Sequence, residues 1–129
     1  MAQVKIYGLK KSLYQIKIEL SKVIHENIVE VLSFPQEKKY HRFIGFDEGD
    51  MIFPDAKSKN YTIIEIMMME GRTVETKKNL IQSLFKNIEK KLGIVKTDIE
   101  ICIIESPSHN WGFGGMSGDE IKLSYDVNV

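Results

Sequence analysis

Arg72 is the residue whose type and position are best suited to chemistry. It stands in Glu70-Gly71-Arg72-Thr73, directly after the largely apolar run of residues 61–69. That run begins with β-branched residues and reads as a strand covered on both faces. Glu70-Gly71-Arg72 breaks it, and Thr73 is a suitable N-cap for a following helix. An arginine placed where a strand gives way to a helix combines two anion-attracting features. The helix N-terminus presents free N–H groups, and the guanidinium presents a planar fork of donors that matches a carboxylate. Pairing of Arg72 with Glu70 or Glu75 is the purely structural alternative.

Other chemistry-bearing residues give weaker signals. His25 falls on an expected helix, where packing or surface roles are the common case. His41 and His109 lie on different segments, and no Cys/His spacing suggests zinc. Asp47-Glu48-Gly49-Asp50 lacks the ligand order of a calcium loop and reads as a solvated turn. Gly112-Phe113-Gly114-Gly115 lacks the Lys-Ser/Thr of a phosphate loop. Met67, Met68 and Met69 read as core filler, because a strand points them to alternate faces. Lys77-Lys78 and Lys90-Lys91 read as the solvated side of a helix. No metal and no cofactor is expected.

The bulk properties narrow the class. At 129 residues with 43% hydrophobic content, the chain fits one domain with a real core. Eighteen basic residues balance eighteen acidic ones, so no strong field is available for nucleic acid or an anionic membrane. Cys102 is the single cysteine, sits in an apolar run, and is expected to be a buried thiol in a reducing compartment. No signal peptide or membrane-length run is evident, so a cytoplasmic location is expected.

The elements that position Arg72 come in two similar sets. Residues 4–9 read as a strand, and Ser12 with Gln15 has capping-box spacing for a first helix. That helix carries Leu13, Ile16, Leu20, Val23, Ile24, Ile28, Val31 and Leu32 at helical spacing, and Pro35 ends it. Residues 40–46 read as a second strand, residues 51–54 as a short edge piece, and residues 55–60 as a polar loop. The strand from Tyr61 leads to a helix over residues 74–92, closed by Gly93, and residues 99–105 form a last strand. Val4 aligns with Ile64, Ile6 with Ile66, Leu32 with Leu92 and Phe43-Ile44 with Ile103-Ile104, a constant offset of 60. Two copies of one β-α-β unit explain this economically. The expected fold is α+β: a four-stranded mixed sheet with both helices on one face. One domain, 1–129, would comprise pseudo-repeats of about 1–60 and 61–105 and a tail over 106–129.

The second sheet face then needs cover. Ile63, Met67 and Met69, together with Ile99, Ile101 and Ile103, suggest an apolar surface that two helices cannot bury. The glycine-rich, polar tail is a poor cover, so a homo-oligomer packing sheet against sheet is expected.

The Val-Lys-Ile start, the Phe34-Pro35 turn, Gly71-Arg72-Thr73 and the Trp111-Gly112-Phe113-Gly114 motif together resemble the tautomerase superfamily. This superfamily has the 4-oxalocrotonate tautomerase and macrophage migration inhibitory factor fold. The resemblance is nearest to the malonate semialdehyde decarboxylase-like members of this bacterial-type group and covers nearly the whole chain. It implies a homotrimer with helices outside and sheets inward. It also implies an amino-terminal proline whose amine moves protons, and arginines that hold the substrate carboxylate.

In this chain the proline position is Ala2, which offers a primary amine only if Met1 is removed; with Met1 retained, the base would be lost. The decarboxylase's acidic residue falls on Lys38, and the first of its two arginines falls on Glu70, so the resemblance does not imply decarboxylation. Arg72 matches the anion clamp, and Trp111 and Phe113 match the apolar pocket wall. The expected activity is that of a tautomerase-like isomerase acting on a small keto or enol carboxylic acid. The substrate would be bound by Arg72, Lys38, Trp111 and Phe113. The alternative is an impaired tautomerase-fold protein serving as an oligomeric small-acid binder.

Overall fold

The structure, a computed structural model, describes residues 1–129. Its chain order is β1 (Ala2–Leu9), α1 (Lys10–Leu32), β2 (His41–Phe46), β3 (Thr62–Met69), α2 (Val74–Leu92), β4 (Ile99–Ser106), then the small strands β5 (Gly112–Phe113) and β6 (Met116–Ser117). The main sheet runs β2-β1-β3-β4. Each crossover helix makes its two strands parallel, β1 with β2 and β3 with β4, and the two units meet antiparallel between β1 and β3. This is the mixed α+β sheet expected from the repeat. No helix is long and apolar enough to cross a membrane.

The repeat offset becomes a spatial axis. Lys5 lies opposite Glu65 in the β1–β3 ladder, and these residues are 60 apart. On the helix layer the Asn27 side-chain oxygen accepts from the Asn87 amide at 2.8 Å, again 60 apart. A local twofold relation therefore passes between both pairs. Asn27 is buried, and its oxygen also accepts from the Ser83 hydroxyl, so the polar centre of the helix pair is bonded as burial requires.

The core lies between sheet and helices. Val4, Ile6, Ile64, Ile66 and Met68 point from the central strands to Leu13, Leu20, Ile24, Ile28, Leu80, Leu84 and Ile88. The apolar row on β4 belongs to this side. Ile101 pairs with Ile64 and Ile103 with Ile66, so Ile99, Ile101 and Ile103 face the helices. Met69 is also buried. The open face is instead mixed, with Lys5, Tyr7, Glu65 and Glu100 interleaved among Ile63, Met67 and Ile104. Tyr7 donates to Glu65 at 2.6 Å across it. Cys102 lies on this open face and is exposed, contrary to the buried thiol expected from its apolar neighbours; alternation along β4 puts Ile101 and Ile103 inside and Cys102 outside.

Other local expectations shift. α1 starts at Lys10, before Ser12, and its cap residue Leu9 makes no side-chain bond. The Ser12–Gln15 spacing is therefore inside the helix. Residues 51–54 form no strand. Lys77 is not free in solvent, because it pairs with Glu105 at 2.7 Å. Thr73 caps α2 as expected, accepting from the Thr76 N–H, and Gly93 closes it with φ 70°.

Candidate active site at the amino-terminal corner

Arg72 is held where β3 ends. Gly71 has φ 143°, a backbone conformation that glycine tolerates. It lets the chain turn sharply before Thr73 starts α2. Arg72 is only 4% exposed. Its Nη1 donates to the Met69 carbonyl at 3.1 Å, Nε and Nη2 make no well-formed hydrogen bond, and the Tyr125 hydroxyl lies close enough for the two side chains to interact. Neither Glu70 nor Glu75 pairs with it. Burial lowers the guanidinium pKa, opposed by Tyr125 and Glu105. Buried donors without a well-formed bond are costly, and at a helix N-terminus they remain available to an acceptor.

The amino terminus lies at the same corner. The Met1 amine donates to the Tyr125 hydroxyl. Its pKa is lowered from 8.0 to about 5, first by burial and then by the positive charges of Arg72 and Lys38. With Met1 retained, the Ala2 nitrogen is an amide and the free amine at this corner is Met1's own. Ala2 is buried in β1 opposite Met68. Lys38 contributes through the amine and through the Tyr125 ring, 5.3 Å below its ammonium.

Tyr125 was not legible in the sequence. Its ring meets Phe34 edge-on at 4.9 Å. Beyond it, Val127 lies against Gly71, and the Thr73 N–H donates to the Val129 oxygen at 3.0 Å. The tail therefore closes on its own chain rather than reaching away from it. No periodicity or motif could announce this, because the segment's one structural role is to cover a corner built by other elements.

Trp111 and Phe113 are not brought to Arg72. They line an open cleft with His109, Asn110, Met116 and Ser117. The connection to the corner is indirect: the Gly118 N–H donates to the Trp111 carbonyl at 2.7 Å, and a Cβ added at Gly118 would approach the Met69 methyl at 3.1 Å. The Trp111 indole N–H is buried without a partner. His25 is a packed residue bonded to the Gln36 carbonyl, and the Nδ1 of His41 meets the Ser21 hydroxyl at 2.7 Å.

Comparison with known proteins agrees with this geometry. The family model described as "Tautomerase enzyme" matches residues 38–114, more than half of the chain. The probable tautomerase YrdN of Bacillus subtilis (strain 168) is 28% identical over 101 residues, covering 74% of this chain and 78% of that protein. The 2-hydroxymuconate tautomerase of Comamonas testosteroni is 32% identical over 57 residues, which is 44% of this chain and 90% of that protein. A structure of FG41 malonate semialdehyde decarboxylase inhibited by 3-bromopropiolate is 25% identical, with TM-score 0.78 over 91% of this chain and 92% of that one. With the duplicated β-α-β sheet, the amine corner and this match in hand, the chain belongs to the tautomerase family.

Proposed function

We propose that the chain is an isomerase acting on a small keto or enol carboxylic acid, with residues 1–129 working as one tautomerase domain. One observation carries this reading: two buried Arg72 donors without a well-formed bond, beside an amine whose pKa is pushed down to about 5. A neutral amine at pH 7 removes a proton from carbon, while Arg72 holds the carboxylate and the negative charge that develops on the enolate. Lys38 adds a second cation to the same corner. Trp111 and Phe113 would wall the pocket once a neighbouring chain or the substrate completes it. If Met1 is removed, Ala2 supplies the amine. The half-apolar open sheet face supports a homotrimer closing over it, and a cytoplasmic setting suits the exposed Cys102.

Ketonisation of phenylenolpyruvate tests the reading, with intact mass reporting whether Met1 is present. Turnover above buffer is expected, lowered about a hundredfold or more by Arg72→Ala. Absence of turnover in both the processed and the unprocessed protein would overturn it. A second reading, a small-acid binder without turnover, is favoured by one observation: the tail covers Arg72. It predicts thermal stabilisation by a carboxylate, about 2.7 kcal/mol at a hundred times the dissociation constant, lost in Arg72→Ala.

A further inference from the structure

We infer that Tyr125 is a catalytic residue, the partner acid of the amino-terminal amine, and that the hydrogen bond between them returns the proton after each turnover. The inference rests on the isomerase reading above.

The geometry assigns each group one task. The Met1 amine spends an N–H on the Tyr125 oxygen, which leaves its lone pair free for a substrate C–H. The Tyr125 hydroxyl accepts that bond, which leaves its own proton free for a substrate oxygen. Arg72, whose Nε and Nη2 lack a well-formed bond, holds the carboxylate next to them. In the enolising direction the amine takes the proton from the carbon beside the carbonyl. That C–H bond breaks and an N–H bond forms. Tyr125 gives its proton to the carbonyl oxygen, so the enol O–H forms and a phenolate remains. The ammonium then passes one proton across the existing hydrogen bond to the phenolate. Both groups return to their starting forms, with no proton gained or lost; ketonisation is the reverse path.

The surroundings suit this exchange. Burial, Arg72 and Lys38 favour the neutral amine, and Arg72 opposes the burial that holds the phenol neutral. Glu105 and Asp126 face Arg72, and Tyr40 faces Tyr125. The ring is fixed from two sides by Phe34 and Lys38.

Tyr125→Phe decides the matter, in protein whose intact mass shows Met1 retained. It keeps the ring and its packing and removes only the hydroxyl. The expected result is a fall in kcat of about a hundredfold with KM little changed, because positioned acid–base groups contribute factors of that order. The amine's titration, followed by its labelling rate with an acylating reagent against pH, should move down, since the ammonium loses an acceptor. Val127→Ala serves as the structural control. It loosens the tail without touching the proton path and should raise KM while sparing kcat. An unchanged kcat in Tyr125→Phe overturns the inference, as does the same KM-only change in both variants. If the parent protein shows no turnover, the isomerase reading fails by itself, and an unmoved amine titration in Tyr125→Phe then separately overturns the hydrogen bond.

Discussion

The local twofold relation gives the molecule two equivalent corners, and they hold different residues. At one corner stand Met1, Lys38 and Arg72. Sixty residues on, or back, stand Tyr61, Asp98 and Ser12. Asp98 is buried and accepts from the Ser58 N–H at 2.9 Å, and Tyr61 donates to Glu100. One corner is a cationic site with donors that lack a well-formed bond; at the other, Asp98 and Glu100 are satisfied acceptors. The same backbone plan thus carries the proposed reactive site at one end and a set of structural hydrogen bonds at the other, because function resides in the residues grafted onto a fold. The backbone differs in one place. α1 is helical from Lys10, whereas α2 waits until Val74, the counterpart of Tyr14. The four residues 70–73 stay out of the helix, and that delay frees Arg72 to turn back toward the amine, while Ser12 is locked inside a helical turn.

Breaking the reactive corner should have the largest effect. Arg72→Ala is expected to cost a hundred- to a thousandfold in kcat/KM for an enol acid, roughly 3–4 kcal/mol of transition-state stabilisation, measured by steady-state kinetics. Gly71→Ala tests the delayed helix start itself. A Cβ there would stand 2.8 Å from the Val127 oxygen at a φ of 143°. A loss of about 2–3 kcal/mol in denaturant unfolding, with weaker activity, is expected. At the opposite corner Asp98→Ala strips the Ser58 N–H of its acceptor. It should cost about 1–3 kcal/mol of stability and leave turnover intact, the reverse of Arg72→Ala.

The two corners should also separate by pH. The Met1 amine pKa falls from 8.0 to about 5 in the folded chain, whereas Tyr61, its counterpart, rises from 10.0 to about 12. The unfolded chain binds the Met1 proton more tightly, so that stability contribution is complete above pH 8 and is lost as pH falls toward 5. The folded chain binds the Tyr61 proton more tightly, so that contribution holds below pH 10 and is lost as pH rises toward 12. His41 adds a separate acid window, between 6.5 and about 4. Thermal melts across pH should show both flanks; acetylating the amine should remove only the upper part of the acid one. The smallest effect belongs to Lys38→Ala. It removes a charge that depresses the amine, so the acid limb of kcat/KM should move upward, while lost contact with the Tyr125 ring costs about 0.5–1 kcal/mol.

Legibility in the sequence follows the same division. α2 was readable at both ends, because Thr73 and Gly93 are local signals whose bonds lie within a few residues. The offset of 60 is readable because apolar residues such as Val4 and Ile64 fill equivalent core positions. α1's start is not legible because Ser12 and Gln15 have the right spacing for a cap, whereas the helix begins at Lys10, directly after buried Leu9 ends β1. Cys102 was misplaced because an apolar neighbourhood in sequence says nothing of which face a strand turns outward. Arg72 stood out through its junction position. The Met1 amine's partner did not, since Tyr125 is 124 residues away and sits in a segment without hydrophobic period.

Asn27 meeting Asn87 across the axis has one more consequence. Two facing amides could each donate to the other, but the Asn27 amide donates to the Val23 carbonyl, so here Asn87 gives and Asn27 receives. The span between β2 and β3 joins the two units covalently, so their meeting depends on tether length and not on how many molecules are present. A contact that would dilute away between separate chains becomes a fixed property of each molecule. That permanence lets one half place an arginine where the other has a serine, without the two positions having to be shared by a single sequence.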